Sequence, residues 1–268
     1  MPLPADYHTH TELCGHAVGR PIDYVRAGQD AGLVEIGISD HFPIPHLPDN
    51  LPKGEYAMDQ TELPNYIQGV EEAREAFPSM MVRLGFEVDY YPKGMDQLMD
   101  SLNAFEADYL LVSVHAMDDW CIDDERMIHR YDGMDLQRFC DRYVEHLIDA
   151  VSMHAFDILG HMDLFKKFGH RSKIAPSLLQ ELAHCIQEAD MTVEINTAGL
   201  RKPCHETYPS LDLISWLQGK KIPVCFGSDA HHPLEVGWRF QEVCSALQDL
   251  GFTHWRQFER RHSNLVPL

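Results

Sequence analysis

Short runs of β-branched and apolar residues alternate along this chain with longer stretches whose apolar positions recur every three to four residues. The short runs predict strands at Ala5–His8, Val34–Ser39, Val82–Val88, Tyr109–Val114, Phe156–Gly160, Thr192–Asn196 and Ile222–Gly227. The longer stretches predict helices at Pro21–Ala31, Thr61–Phe77, Gly94–Phe105, Asp135–Val151, Pro176–Ala189, Ser210–Leu217 and Glu235–Leu250. Punctuation agrees with these bounds. Pro176 suits a first helical turn, Gly32 and Gly251 suit stops, and Pro78 follows the second helix. The stretch from Pro43 to Lys53 carries Pro43, Pro45, Pro48 and Pro52, and reads as an ordered excursion after the second strand.

Strict alternation of strand and helix implies right-handed βαβ units and a parallel sheet. Almost the whole chain is consumed by them, so a closed ring is favoured over an open sheet. The expected fold is α/β, a distorted (β/α)7 TIM-like barrel forming a single domain over residues 1–268. No GxGxxG follows the first strand, which argues against a doubly wound dinucleotide fold.

In a parallel barrel the C-terminal strand ends and the loops after them share one mouth. Here those ends bear an unusual set of side chains: His8, His10 and His16; Asp40 and His41; Glu87 and Asp89; His115; His161 and Asp163; Asn196; Asp229 and His231. Two residues apart on an extended segment, His8 and His10 point the same way, as do Asp229 and His231. Singly, each motif has an ordinary explanation: a surface histidine pair, a capping Ser-Asp, a glutamate paired with an arginine. Together on one rim they describe a metal site, with Glu87 able to bridge cations. So many ligands exceed the needs of one tetrahedral zinc, so two to three divalent transition-metal ions (zinc, iron or manganese) are expected. His129, His146, His154, His184, His254 and His262 fall on helices or surface loops and are read as chemically idle.

Charge refines the picture. Lys+Arg number 22 and Asp+Glu 42, a formal charge of −20. That balance excludes general binding to nucleic acid or to an anionic membrane. An anionic substrate then needs local cations, which bound metals supply. No signal peptide and no apolar run of membrane-spanning length is visible, and the seven cysteines form no CxxC pair. A cytoplasmic protein with reduced thiols is expected. Oligomeric state is not legible.

The strings HTHTELCGH, SDH, FEVD, SVH, GHMD and GSDAH resemble the polymerase-and-histidinol-phosphatase (PHP) family over nearly the whole chain. The resemblance implies a distorted seven-stranded barrel with a trinuclear centre. His8, His10, Glu87 and Asp229 would hold the first metal, Glu87, His115 and His161 the second, and His16, His41 and His231 the third. The finer strings SDHFP, GFEVDYYP, SVHAMDDWCID, GHMDLFKKFG and EINTAGLRK are similar to the monofunctional histidinol-phosphatase branch. That branch implies hydrolysis of L-histidinol phosphate to L-histidinol and phosphate in histidine biosynthesis, by metal-activated hydroxide attacking phosphorus. Glu87, Asp229 and Arg201 are the expected catalytic residues. Arg201 is also the expected phosphate clamp, its fork suiting phosphate geometry. Lys166, Asp163, Asn196 and Trp120 are expected at the substrate, with Lys167 a weaker candidate cation. An acidic wall of Asp118, Asp119, Asp123, Asp124 and Asp163 is expected to face the cationic end of the substrate. Competing readings are a PHP-type phosphoesterase acting on another small ester or a nucleotide, and an amidohydrolase-like metal hydrolase. The second would carry a bridging lysine at a strand end, and none is found.

Overall fold

The computed structural model describes residues 3–51 and 53–268; Pro52 of the proline-rich excursion lies outside them, as do Met1 and Pro2. The strands in chain order are β1 (Glu35–Ile38), β2 (Met81–Asp89), β3 (Tyr109–Ser113), β4 (Ala116–Met117), β5 (Trp120–Cys121), β6 (Ile158–Leu159), β7 (Thr192–Asn196), β8 (Val224–Gly227), β9 (His254–Glu259) and β10 (His262–Pro267). A curled parallel sheet of six strands runs β1-β2-β3-β6-β7-β8. The predicted strand at Ala5–His8 is present as a stave rather than a ladder. It meets both sheet edges: the Tyr7 N–H donates to Phe226 O at 2.9 Å and the Gly37 N–H to Asp6 O at 2.8 Å. Only isolated bridges such as Asp6↔Ile36 and Thr9↔Ala230 join it to its neighbours. The ring closes with seven staves, and the stave that carries His8 and His10 is the closing one.

Each helix places an apolar stripe on this ring. They are α1 (Pro21–Ala31), α2 (Leu63–Ala76), α3 (Met95–Leu102), α4 (Leu136–Ser152), α5 (Pro176–Glu188), α6 (Leu211–Gly219) and α7 (Phe240–Asp249). In α4 the buried positions Phe139, Cys140, Tyr143, Val144, Leu147, Ala150 and Val151 follow the helical period. Burying each large apolar side chain of this kind contributes about 1.5–3 kcal/mol. The last helix begins at Phe240 instead of Glu235. Pro233–Glu235 form a 3-10 turn and Arg239 adopts a left-handed φ of 58°, which no α-helix can run through.

Two hairpins stand outside the predicted alternation. One is β4–β5. The other is β9–β10, which folds under the ring with Trp255 and Phe258 buried against Tyr7. Those two aromatics lie three apart, a spacing that imitates a helix and hides the strand. Beside them, Tyr109 lies flat against Gly85, where a Cβ would overlap its ring, and donates to Tyr7 O at 2.7 Å. This aromatic layer fills the end of the ring opposite the histidines.

Candidate metal centre

Strands buried on both faces are ordinarily apolar throughout. Here β2 ends in Glu87 and Asp89 and β7 carries Glu194, each 4% exposed or less. All three turn toward histidines. Glu87 Oε2 faces the Nε2 atoms of His8 at 3.1 Å, His41 at 3.3 Å and His10 at 3.4 Å. Its Oε1 faces Nε2 of His161 at 3.1 Å and of His115 at 3.6 Å. Five imidazoles from four staves and the loops after them thus converge on one carboxylate. Asp229, beyond β8, adds a second acid. Its Oδ1 lies 3.4 Å from His10 Nε2 and 3.5 Å from His231 Nδ1.

The opposite ring nitrogens are held from behind. His8 Nδ1 donates to Glu194 Oε1 at 2.7 Å, and the His161 backbone N–H donates to Glu194 Oε2 at 2.9 Å. Asp89 accepts from His41 Nδ1 at 3.0 Å and from His115 Nδ1 at 2.7 Å. His16 Nδ1 donates to Cys14 O and His231 Nδ1 to Asp229 O, each at 3.0 Å. Such contacts fix the tautomer and leave the other nitrogen facing the centre. Gly227 makes room for the Glu194 contact, since a Cβ there would overlap Glu194 Oε1 and stand 2.7 Å from His8 Cβ.

The donor set fits divalent cations. Within the groups His8–His10–Asp229, His8–Glu87–His161 and His10–His41–His231, the ligand atoms lie within 4.8 Å of one another. His8 Nε2 and both His10 nitrogens are buried with no hydrogen-bond partner among the described residues. Nε2 of His115 and Nε2 of His161 face each other at 3.1 Å, two lone pairs directed at one region. Burial opposes ionisation of Glu87, yet His8, His41 and His115 outweigh it and hold the carboxyl well below its ordinary value. Asp229 is likewise held low, burial being outweighed by His8 and His10. Burial and the neighbouring imidazoles of His41 and His231 lower His16 to about 4, and His10 is lowered by burial and His231. His8, His41 and His115 move the other way, burial being outweighed by the carboxylates of Glu194, Glu87 and Asp89, so a cation bound there would displace their protons, since ionised acids and neutral imidazoles are the metal-binding forms. His16 stands at the edge of the cluster, its ring 4.7 Å from that of His231 and 5.5 Å from that of His41.

The centre forms the floor of a cavity of about 780 Å³, which Arg201, Lys167, Tyr56, Asp123, Asp124 and Glu125 also line. Arg201 is anchored on one side. Its Nη2 donates to Ser228 O at 3.0 Å, Nε pairs with Glu235 at 3.3 Å, and Nη1 has no partner among the described residues. Lys167 pairs with Asp123 at 3.1 Å.

Four residues expected at the substrate stand elsewhere. Asn196 is fully buried, donating to Glu194 Oε2 at 3.1 Å and accepting from the Ala198 N–H at 2.8 Å; it braces Glu194 instead of facing the cavity. Trp120 packs in the core against Tyr131 and Phe139. Lys166 and Asp163 pair with each other at 2.7 Å, both buried and away from this cavity, so of the two adjacent lysines it is Lys167 that lines the cavity. The acidic wall is also narrower than expected. Asp118 and Asp119 pair outside the cavity with Arg142 and Arg130, and Asp163 is turned away. Asp123 and Asp124 remain, joined by Glu125 and Glu55. Sequence reasoning missed Glu194; its one signal was an acid inside the apolar string Thr192-Val193-Glu194-Ile195.

Similarity to known proteins follows the same lines. The "Probable histidinol-phosphatase" of Deinococcus radiodurans is 36% identical over 264 residues, spanning 98% of this chain and 98% of that protein. The histidinol-phosphatase of Bacillus subtilis is 26% identical over 266 residues, spanning 88% of this chain and 96% of that protein. In fold, the chain matches the crystal structure of histidinol phosphate phosphatase from Lactococcus lactis, complexed with zinc, L-histidinol and phosphate. The TM-score is 0.82 at 18% identity, covering 97% of this chain and 98% of that one. The PHP domain matches residues 6–198, the span that brings six of the seven predicted metal-facing histidines together, and the chain belongs to the PHP domain family.

Proposed function

We propose that this chain is a metal-dependent phosphoric monoester hydrolase whose substrate is L-histidinol phosphate, cleaved to L-histidinol and phosphate. The observation that carries the reading is the convergence of five imidazoles on Glu87, at the floor of a cavity that also presents Arg201. The names of the Deinococcus and Bacillus relatives supply the substrate. We infer that His8, His10, Glu87, His115, His161, Asp229, His16, His41 and His231 hold two to three divalent ions, zinc among them as in the Lactococcus structure. Such ions supply an activated water and offset phosphoryl charge.

The chain's own residues do the rest. Glu87 presents one carboxylate oxygen to each side of the centre, which suits a bridge. Asp229, held ionised by His8 and His10, would serve as a ligand and proton acceptor. Arg201, anchored through Nη2 and Nε at the cavity wall, would place its guanidinium charge beside a phosphoryl group. Asp123, Asp124, Glu125 and Glu55 face the cavity where the substrate's ammonium and imidazole would extend. The unit is taken as one catalytic barrel. Its seven cysteines are all free, which suits the reducing cytoplasm. No helix among the described residues is long and apolar enough to cross a membrane.

The test is to strip metal by exhaustive chelation and follow phosphate release from histidinol phosphate. Turnover is expected to vanish and to return with added zinc, iron or manganese. Full turnover in a chain shown to be metal-free would end this reading.

A further inference from the structure

We propose that Asp89 is a positioning residue that binds two metal-facing histidines from different strands into one unit, so that the cations beside His41 and His115 load together. The proposal rests on the metal-centre reading above. Asp89 closes β2 two residues beyond Glu87, and strand alternation puts both carboxylates on one face. The two then act on opposite sides of the same rings. Glu87 meets Nε2 of His41 at 3.3 Å and Nε2 of His115 at 3.6 Å. Asp89 takes their Nδ1–H groups, one on each oxygen, at 3.0 Å and 2.7 Å.

The atoms of His41, Asp89 and His115 are close enough to form a metal group by themselves. The ring orientation decides otherwise: each Nδ1 is spent on Asp89 and each Nε2 faces Glu87, so Asp89 stands behind the rings. It has little freedom to move. It is 4% exposed, its own carbonyl accepts from His46 Nε2 at 2.9 Å, and it pairs in register with Ser113 of β3. Any displacement of this one carboxylate turns both imidazoles. Glu194 repeats the device across the centre, one oxygen on His8 and the other on the His161 backbone. Each acid spans two staves, which makes the centre a linked frame and not a set of independent ligands.

The experiment is a competitive-chelator titration of the metal-depleted full chain with zinc, with cobalt absorption spectra as the second readout. Asp89→Ala removes both acceptors. It is expected to weaken two of the uptake steps by about 10–100-fold each and to alter the cobalt spectrum at both. Asp89→Asn is nearly isosteric and keeps one acceptor, so it is expected to weaken the same two steps by less than the alanine variant does, and it decides the matter if the alanine chain does not fold. A wild-type chain that takes up no metal overturns the metal reading and this proposal with it. Normal wild-type loading beside unchanged titration of Asp89→Asn, or beside an Asp89→Ala chain weakened in one step or none, overturns this proposal alone.

Discussion

A histidine acts as a ligand only when one nitrogen is aimed and the other is held, and in this protein the aiming was legible while the holding was not. The HxH spacing of His8 and His10, and the placement of His41, His115, His161 and His231 at strand ends, are local signals that survive without coordinates. Glu194 reaches His8 across 186 residues of sequence, and no local pattern encodes that contact. Neighbouring residues were confused for a related reason. In the short turn Leu164–Lys166, successive side chains diverge, so Lys166 enters the protein to meet Asp163 while Lys167 faces the cavity. Strand alternation makes the same division at β5, turning Cys121 to the cavity and Trp120 to the core. Arg201 lines the cavity, in keeping with its place shortly after a strand end. Its replacement by alanine should leave metal content intact and lower kcat/KM by about 30-fold, the equivalent of about 2 kcal/mol of charge-assisted hydrogen bonding. A clamp used equally in ground and transition states would show this loss in KM, and one that tightens in the transition state would show it in kcat. Wild-type kinetics and unchanged inhibition by inorganic phosphate would refute the role.

Among the elements, those with regular apolar periods were readable nearly to the residue, as in α1, which runs Pro21–Ala31 as predicted. The stave at Ala5–His8 was also visible, but its broken pairing was not. Asp6 supplies a reason: its buried carboxylate accepts the N–H groups of Ser228 at 2.8 Å and Gly237 at 2.9 Å, pinning the stave by side-chain contacts in place of a ladder. The β9–β10 hairpin escaped because its buried aromatics are spaced as on a helix. At the junction of stave, β7 and β8, Gly227 leaves the space that Glu194 uses to reach His8. Gly227→Ala should therefore push Glu194 off His8, keep the barrel's circular dichroism, and weaken zinc uptake about 10-fold or more. Unaltered uptake in a folded Gly227→Ala chain would show that the Glu194–His8 contact does not govern the centre.

At the scale of the molecule the puzzle is a chain of net charge −20 that handles a phosphate ester. The cavity brings groups of both signs together. Arg201 and the proposed metal floor line it together with Asp123, Asp124, Glu125 and Glu55, and Asp123 lies within electrostatic reach of His115. A substrate with an anion at one end and an ammonium with an imidazole at the other can engage both signs, whereas a sugar phosphate or a nucleotide would bring no cation to the acidic groups. Part of the acidity is already engaged, since Asp123 is paired with Lys167 and Asp124 with Arg126. Glu125 is free of such a partner among the described residues, so the discrimination should depend on it most. The expected outcome is a kcat/KM for histidinol phosphate well over tenfold above that for glycerol phosphate, a nucleoside monophosphate or p-nitrophenyl phosphate, with the gap narrowed by Glu125→Gln. Tenfold corresponds to only about 1.4 kcal/mol, less than one well-placed charged hydrogen bond contributes. A ratio at or below that value would mean that the acidic groups do not read the substrate, and the enzyme would be a generalist toward small phosphate esters.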